Sequence, residues 1–218
     1  MSTGVATGIV ALVLAAGRSS RSGDRHKLLA PDQMGQPMIA RTLQAVCASA
    51  VDTVIVVLGH RANDLRAAID THAPYAREVA VTMAADHADG LSASLRAGLR
   101  MAEARHPSGI LVCLGDMPWI GPDVITRLLA RHRQSPAPVT VPVHDGRQGH
   151  PVLWDRTMIP ALMALKGDRG GGALMRALGE RVATVQAGAT IHEDFDTPDR
   201  LDQFAATRPA GPGLTGPS

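Results

Sequence analysis

From Ile9 to Leu14 every position is aliphatic, and the run ends in Ala15-Ala16-Gly17. This is the pattern of a strand buried on both faces, the natural centre of a parallel sheet. Thr53 to Leu58 and Ile110 to Leu114 are runs of the same kind, each preceded by residues with helical spacing. From Pro37, a good first helical residue, Ile39, Leu43, Val46 and Cys47 recur at helical intervals and stop near Ala50. A helix near Ala62 to Asp70, a strand at Val79 to Met83 and a helix from about Ser92 to Arg105 continue the alternation. Pro122 opens another helix, which Ser135-Pro136 closes. Repeated βα units of this length predict an α/β fold with a mostly parallel sheet and helices on both faces.

After Pro136 the grammar changes. Val139 to Val143 and Pro151 to Trp154 read as strands flanking the turn His144-Asp145-Gly146-Arg147-Gln148-Gly149, and the helices beyond are short. An antiparallel excursion on the parallel sheet accounts for this. No repeat or interdomain linker interrupts the chain, so one domain over residues 8–206 is expected. The Pro- and Gly-rich residues 207–218 read as a disordered tail.

Composition narrows the function classes. The 218 residues include only two tryptophans, two phenylalanines and one tyrosine, which leaves little ring surface for stacking nucleic-acid bases. Lysine and arginine (22) nearly balance aspartate and glutamate (20), so no global field draws the molecule to nucleic acid or an anionic membrane. Met1 to Gly8 lacks a basic segment followed by a long apolar one, and Ile9 to Gly17 is too short to span a bilayer. A soluble, cytoplasmic protein is expected. Cys47 and Cys113 lie in apolar stretches without CxxC spacing and read as small hydrophobes in a reducing compartment.

Open α/β sheets bind ligands beyond the carboxyl ends of their strands. After the first strand comes Ala15-Ala16-Gly17-Arg18-Ser19-Ser20-Arg21-Ser22-Gly23-Asp24-Arg25-His26-Lys27. Its glycines let the backbone approach a ligand, and Arg21, Arg25 and Lys27 can neutralise phosphate oxygens, a combination suited to a triphosphate. The loop is neither a Walker A motif nor GxGxxG, and it also reads as a solvated surface loop. After Ile110 to Leu114 comes Gly115-Asp116-Met117-Pro118, where a carboxylate at a strand end suits Mg²⁺. Asp196, in Glu193-Asp194-Phe195-Asp196-Thr197-Pro198, is either a second carboxylate for that ion or a helix N-cap. Ser92 and Ser94, after Asp89-Gly90-Leu91, read equally as N-caps or as ligand contacts. No HExxH or Cys/His spacing supports zinc, and the histidines other than His150 read as surface residues.

The set LAAG-x-S-x-R-x-G…K (Leu14 to Lys27), LGDMP (Leu114 to Pro118), GxxGHPV (Gly146 to Val152) and DFDTPDRL (Asp194 to Leu201) resembles the nucleotidyltransferases of the molybdenum-cofactor family. The resemblance covers about residues 8–204 in the right order and points to the cytidylyltransferase branch. It implies a glycosyltransferase-A-like nucleotide-binding fold and Mg²⁺-dependent transfer of CMP from CTP to a molybdopterin-type acceptor, with a molybdenum hydroxylase as client. By the same resemblance Gly17, Arg21, Gly23 and Lys27 are the phosphate-loop residues, and Asp116 and Asp196 the metal ligands. Ala15, Ala16, Ser19 and Arg25 belong to the same loop. Gly90 and Ser92 border base and ribose, and His150 contacts acceptor or nucleotide.

Two departures matter. Ser22 stands where the commonest family loop has Met, and three residues rather than two separate Gly23 from Lys27, so either Lys27 or Arg25 could reach the α-phosphate. Gly167-Asp168-Arg169-Gly170-Gly171-Gly172 is similar to the family's GDRGxR segment and reads either as a loop over the acceptor or as a connection between short helices.

A phosphate-monoester acceptor is already ionised at neutral pH and needs no general base, and none stands out in the sequence. Catalysis then rests on alignment and charge stabilisation. A base read by backbone groups and serines around Gly17 and Gly90 needs no aromatic platform. Other readings are a GTP-using relative, a sugar-nucleotide pyrophosphorylase, and a non-catalytic chaperone that delivers the cofactor.

Overall fold

The computed structural model describes residues 8–19, 26–73, 75–168 and 170–206. The expectations for Arg21, Gly23, Arg25 and the tail at 207–218 lie outside the described residues. The elements are β1 (Ile9–Ala15), α1 (Met38–Ala48), β2 (Thr53–Leu58), α2 (Ala62–Thr71), β3 (Val79–Met83), α3 (Leu91–Glu103), β4 (Gly109–Leu114) and α4 (Pro122–Gln134). They continue with β5 (Val139–His144), β6 (Arg147–Gln148), β7 (Val152–Asp155), α5 (Ile159–Met163), α6 (Gly172–Leu178), β8 (Val182–Gln186) and α7 (Pro198–Ala206).

The result is an α/β domain on an eight-stranded mixed sheet, in the order β3-β2-β1-β4-β7-β5-β6 with β8 on β5. Every β1 residue is buried, as its unbroken aliphatic run requires. Alternate β1 side chains feed two cores. Ile9, Ala11 and Val13 meet α1, α2, α4 and α7, while Val10, Leu12 and Leu14 meet α3 and α5. The helical stripe on α1 buries Ile39, Leu43, Val46 and Cys47, the residues that carry its period in the sequence. Pro37, extended at ψ 146°, caps that helix from outside its first turn.

The expected antiparallel excursion is β7, which pairs antiparallel with β4 on one side and β5 on the other. Two reversals bring β5 back to the direction of β1–β4. β6, a two-residue strand inside the turn before β7, pairs back onto β5. β8, absent from the sequence reading, lies parallel to β5, with Val139 opposite Val182. Its short and half-exposed sequence lacks the apolar run that marks the central strands. The carboxyl ends of β1, β2, β3, β4, β5 and β8 and the amino end of β7 therefore share one rim of the sheet.

A buried aspartate fixes the path from the end of the β1 loop into α1. Asp32 accepts from the backbone N–H of Met34 at 2.8 Å and Gln36 at 3.0 Å, and pairs with Arg41 Nε at 2.5 Å. Burial opposes its charge, but the N–H donors and the Arg41 guanidinium outweigh that and hold its pKa below the ordinary carboxylate value. The contribution is present above that ordinary value of 3.8 and is lost as pH falls through the lower folded one. Asp32→Ala is expected to lower the unfolding free energy by about 3–5 kcal/mol, the usual effect of removing one partner of a buried pair. Urea titration at pH 7 checks the magnitude, and the difference from wild type should shrink as the pH falls below 3.8.

Candidate active site

Lys27, Asp116 and Asp196 come together on the shared rim. Lys27 begins a short 3₁₀ turn after the β1 loop, Asp116 follows β4, and Asp196 precedes α7. The Lys27 ammonium donates to Asp116 Oδ2 and to Asp196 Oδ1. Burial disfavours this ammonium, yet the two carboxylates outweigh the desolvation and raise its pKa. β1 and β4 are adjacent strands, and β2 lies on the far side of β1, so the three charges stand where the strand order reverses.

At the start of α7, Thr197 accepts the Arg200 N–H through Oγ1 and the Leu201 N–H through its carbonyl, while Asp196 Oδ1 accepts from Lys27. The helix-start reading of Asp-Thr-Pro holds for Thr197. Two features hold the carboxylates in place. The buried Thr42 hydroxyl on α1 donates to Gly115 O at 2.9 Å, one residue before Asp116. Trp119 and Phe195 both pack on Phe204, each at a ring-centroid distance of 5.4 Å, which ties the segment after Asp116 to the segment before Asp196.

Two carboxylates from separate loops that converge on one cationic atom form a hard-oxygen donor set of the kind Mg²⁺ uses with substrate phosphates. The residues present fit such an ion. Among the described residues no group of three or more His, Cys, Asp or Glu is arranged to hold a metal ion. A cation here would keep Asp116 and Asp196 as its protein ligands.

Other candidates fall around this centre. Ala15 and Ala16 are buried beneath the loop, and Ala16 O accepts the His60 N–H at 3.2 Å. Among the described residues nothing lies within 4 Å of a β carbon built on Gly17. Ser19 has left-handed backbone (φ 54°) and a buried hydroxyl without a hydrogen-bond partner. His150 stands at the amino end of β7, its Nδ1 buried and unpartnered. Burial lowers its pKa while the Asp116 charge pulls the other way.

Gly90 has φ +100°, and a β carbon there would come within 2.5 Å of Asp168 Oδ1. The Gly167-Asp168 segment thus rests on the start of α3, where the Ser92 N–H donates to Gly167 O at 3.1 Å. Arg96 donates to the Ser92 hydroxyl at 3.1 Å and to Leu165 O at 2.7 Å, so Ser92 joins two protein segments and is fully buried. Both cysteines are free and buried, and burial pushes their thiols up to about 11 and 12, out of reactive range.

The expectation that the remaining histidines lie on the surface is corrected for His26 and His132, each 5% exposed. Burial, aided by the neighbouring charge of Arg61, pushes His26 down to about 4. His26 also stacks on His60, which faces His87 in turn, beside the phosphate loop. One histidine after each of three strand ends is a pattern the sequence shows only when the strands are known to be adjacent and parallel.

A family model described as MobA-like NTP transferase domain matches residues 11–182. The chain belongs to this family. Purine catabolism protein PucB of Bacillus subtilis (strain 168) is 27% identical over 203 residues, covering 89% of this chain and 94% of PucB. Rv0371c from Mycobacterium tuberculosis H37Rv superposes with a TM-score of 0.74 at 29% identity, over 92% of this chain and 98% of that one. The structure of Rv0371c in complex with manganese gives 0.70 at 26% identity, over 92% and 99%. Mth528, a nucleotidyl transferase from Methanothermobacter thermautotroptrophicus, gives 0.74 at 28% identity, over 91% and 96%. The α/β fold with a mostly parallel sheet is shared with these MobA-like relatives, and the family is one of nucleotidyltransferases. Among the described residues no helix is long and apolar enough to cross a membrane.

Phe204 is fully buried, and Phe204→Ala should lower the unfolding free energy by about 3–5 kcal/mol in urea titration. His26 favours the neutral ring in the folded state, so its contribution is present above the ordinary value of 6.5 and declines as pH falls toward about 4. His26→Leu is expected to remove part of the acid-induced fall in melting temperature across that window, read by calorimetry at a series of pH values.

Proposed function

We propose that this protein transfers CMP from CTP to a molybdopterin-type acceptor and releases pyrophosphate, with Mg²⁺ as the cofactor and a molybdenum hydroxylase as the client of the product. The observation that carries this reading is the convergence of Lys27, Asp116 and Asp196 at the reversal of strand order, the place where an open α/β sheet binds a nucleotide. The manganese complex of Rv0371c supports a divalent ion in a protein of this architecture. Ala15-Ala16-Gly17 and Gly149-His150-Pro151, by their resemblance to the cytidylyl branch, support cytosine as the base.

Asp116 and Asp196 would hold Mg²⁺, which when bound supplies charge stabilisation to the α-phosphate and the departing pyrophosphate. Lys27 adds a positive charge at the same point, and its raised pKa keeps it charged. By the family resemblance Arg21 and Arg25 add positive charge for the phosphates and Gly17 and Gly23 let a backbone approach them, and Ser19 offers a buried hydroxyl. Gly90 and the α3 start border the nucleoside, and His150 faces the acceptor side. An acceptor that is itself a phosphate monoester arrives ionised, so these residues need only align it and screen the developing charge.

Isothermal titration of CTP and GTP with Mg²⁺ tests the base without the labile pterin. CTP is expected to bind more tightly, and strict GTP dependence would overturn the base assignment. Asp116→Ala is expected to cut kcat about a hundredfold or more in a pyrophosphate-release assay with the pterin acceptor. Delivery of cofactor that survives loss of both Asp116 and Asp196 would instead identify a carrier without transferase chemistry.

A further inference from the structure

A line of three imidazoles runs from the phosphate loop along the rim of the sheet. His26 precedes Lys27 directly, His60 follows β2, and His87 lies between β3 and Gly90. The rings of His26 and His60 are stacked at 5.9 Å with an interplanar angle of 21°, and His60 meets His87 at 6.5 Å. Close backbone packing holds the line against β1. A β carbon on Gly59 would come within 2.7 Å of Ala16 Cβ and 2.8 Å of His87 Cβ, so the absence of a side chain on Gly59 lets His87 pack close to the end of β1. The His26 ring at the inner end of the line is buried.

The chemistry of the line is set at its outer end. His87 Nδ1 lies 3.0 Å from Ala84 O. A carbonyl oxygen only accepts, so Nδ1 must carry the proton, and the neutral ring then presents Nε2 as an acceptor. The tautomer cannot switch without giving up the Ala84 bond. A group with an N–H to donate satisfies Nε2, whereas a carbonyl facing it leaves two acceptors opposed.

We propose that His60 and His87, backed by the buried His26, form the base-reading wall of the nucleotide site, and that the Nε2 acceptor of His87 selects a base with an exocyclic amine over its oxo counterpart, cytosine over uracil. The assignment rests on the reading that the site binds a nucleoside triphosphate, and it supplies what that reading lacks, a side chain that discriminates the base. With phosphates at Lys27, the nucleoside lies along the strand ends toward Gly90, past the His60 and His87 imidazoles, which are tilted 42° to each other. The low pKa of His26 keeps the inner ring neutral, so the wall adds no positive charge that would favour an oxo base.

The test is isothermal titration of the full chain with CTP and with UTP, each with Mg²⁺ at pH 7.5. Wild type is expected to bind CTP about tenfold or more tighter than UTP, the effect of one buried acceptor left unmatched. His87→Phe keeps a ring but loses the acceptor and should bring the two affinities within about twofold. His87→Gln has an amide that can turn either way and should do the same if the Phe variant does not fold. Equal CTP and UTP binding by wild type, or an unchanged ratio in a folded variant, overturns the assignment while leaving the nucleotidyltransferase reading intact. Failure of any nucleoside triphosphate to bind overturns both.

Discussion

The site depends on one electrostatic constraint, that two carboxylates can share a small volume only with a cation between them. Asp116 and Asp196 belong to segments distant in sequence, and both accept from the Lys27 ammonium. Without that ammonium the pair would repel, and either the end of β4 or the start of α7 would have to turn away. A divalent ion satisfies the same constraint, so the arrangement is suited to hold an ion when substrate brings it and to remain folded when it does not.

The fold serves this constraint through direction. β7 runs against its neighbours, so that β5 and β8 recover the orientation of β1–β4 and deliver residues 187–196 to the same rim. The scarce aromatic residues have a concentrated use. Trp119, Phe195 and Phe204 form one cluster behind the carboxylates, where large rigid side chains fix two loops relative to each other better than the aliphatic residues that fill the rest of the core.

The central parallel strands were legible because burial on both faces leaves an unbroken aliphatic run, as in Ile9 to Leu14 and Thr53 to Leu58. β8 was not, since a half-exposed edge strand such as Val182–Gln186 shows no run and little alternation. The motifs single out Lys27, Asp116 and Asp196 one by one, and the fold brings these three side chains together. Ser92 carries a contact its motif does not show, accepting from Arg96. His60 and His87 were opaque because nothing local distinguishes a histidine that faces a ligand from one that faces water. Their meaning arises from the lateral neighbours of β2, which only the sheet order supplies.

The contact between Lys27 and Asp196 spans 169 positions of the chain. A nascent polypeptide on the ribosome can complete β1, β2 and β4, and so assemble much of the nucleotide platform, while its second carboxylate is still unsynthesised. The paired acidic centre is therefore withheld until nearly all of the described domain has emerged. A proteolytic fragment ending before Asp196 would retain the sheet but not the second carboxylate.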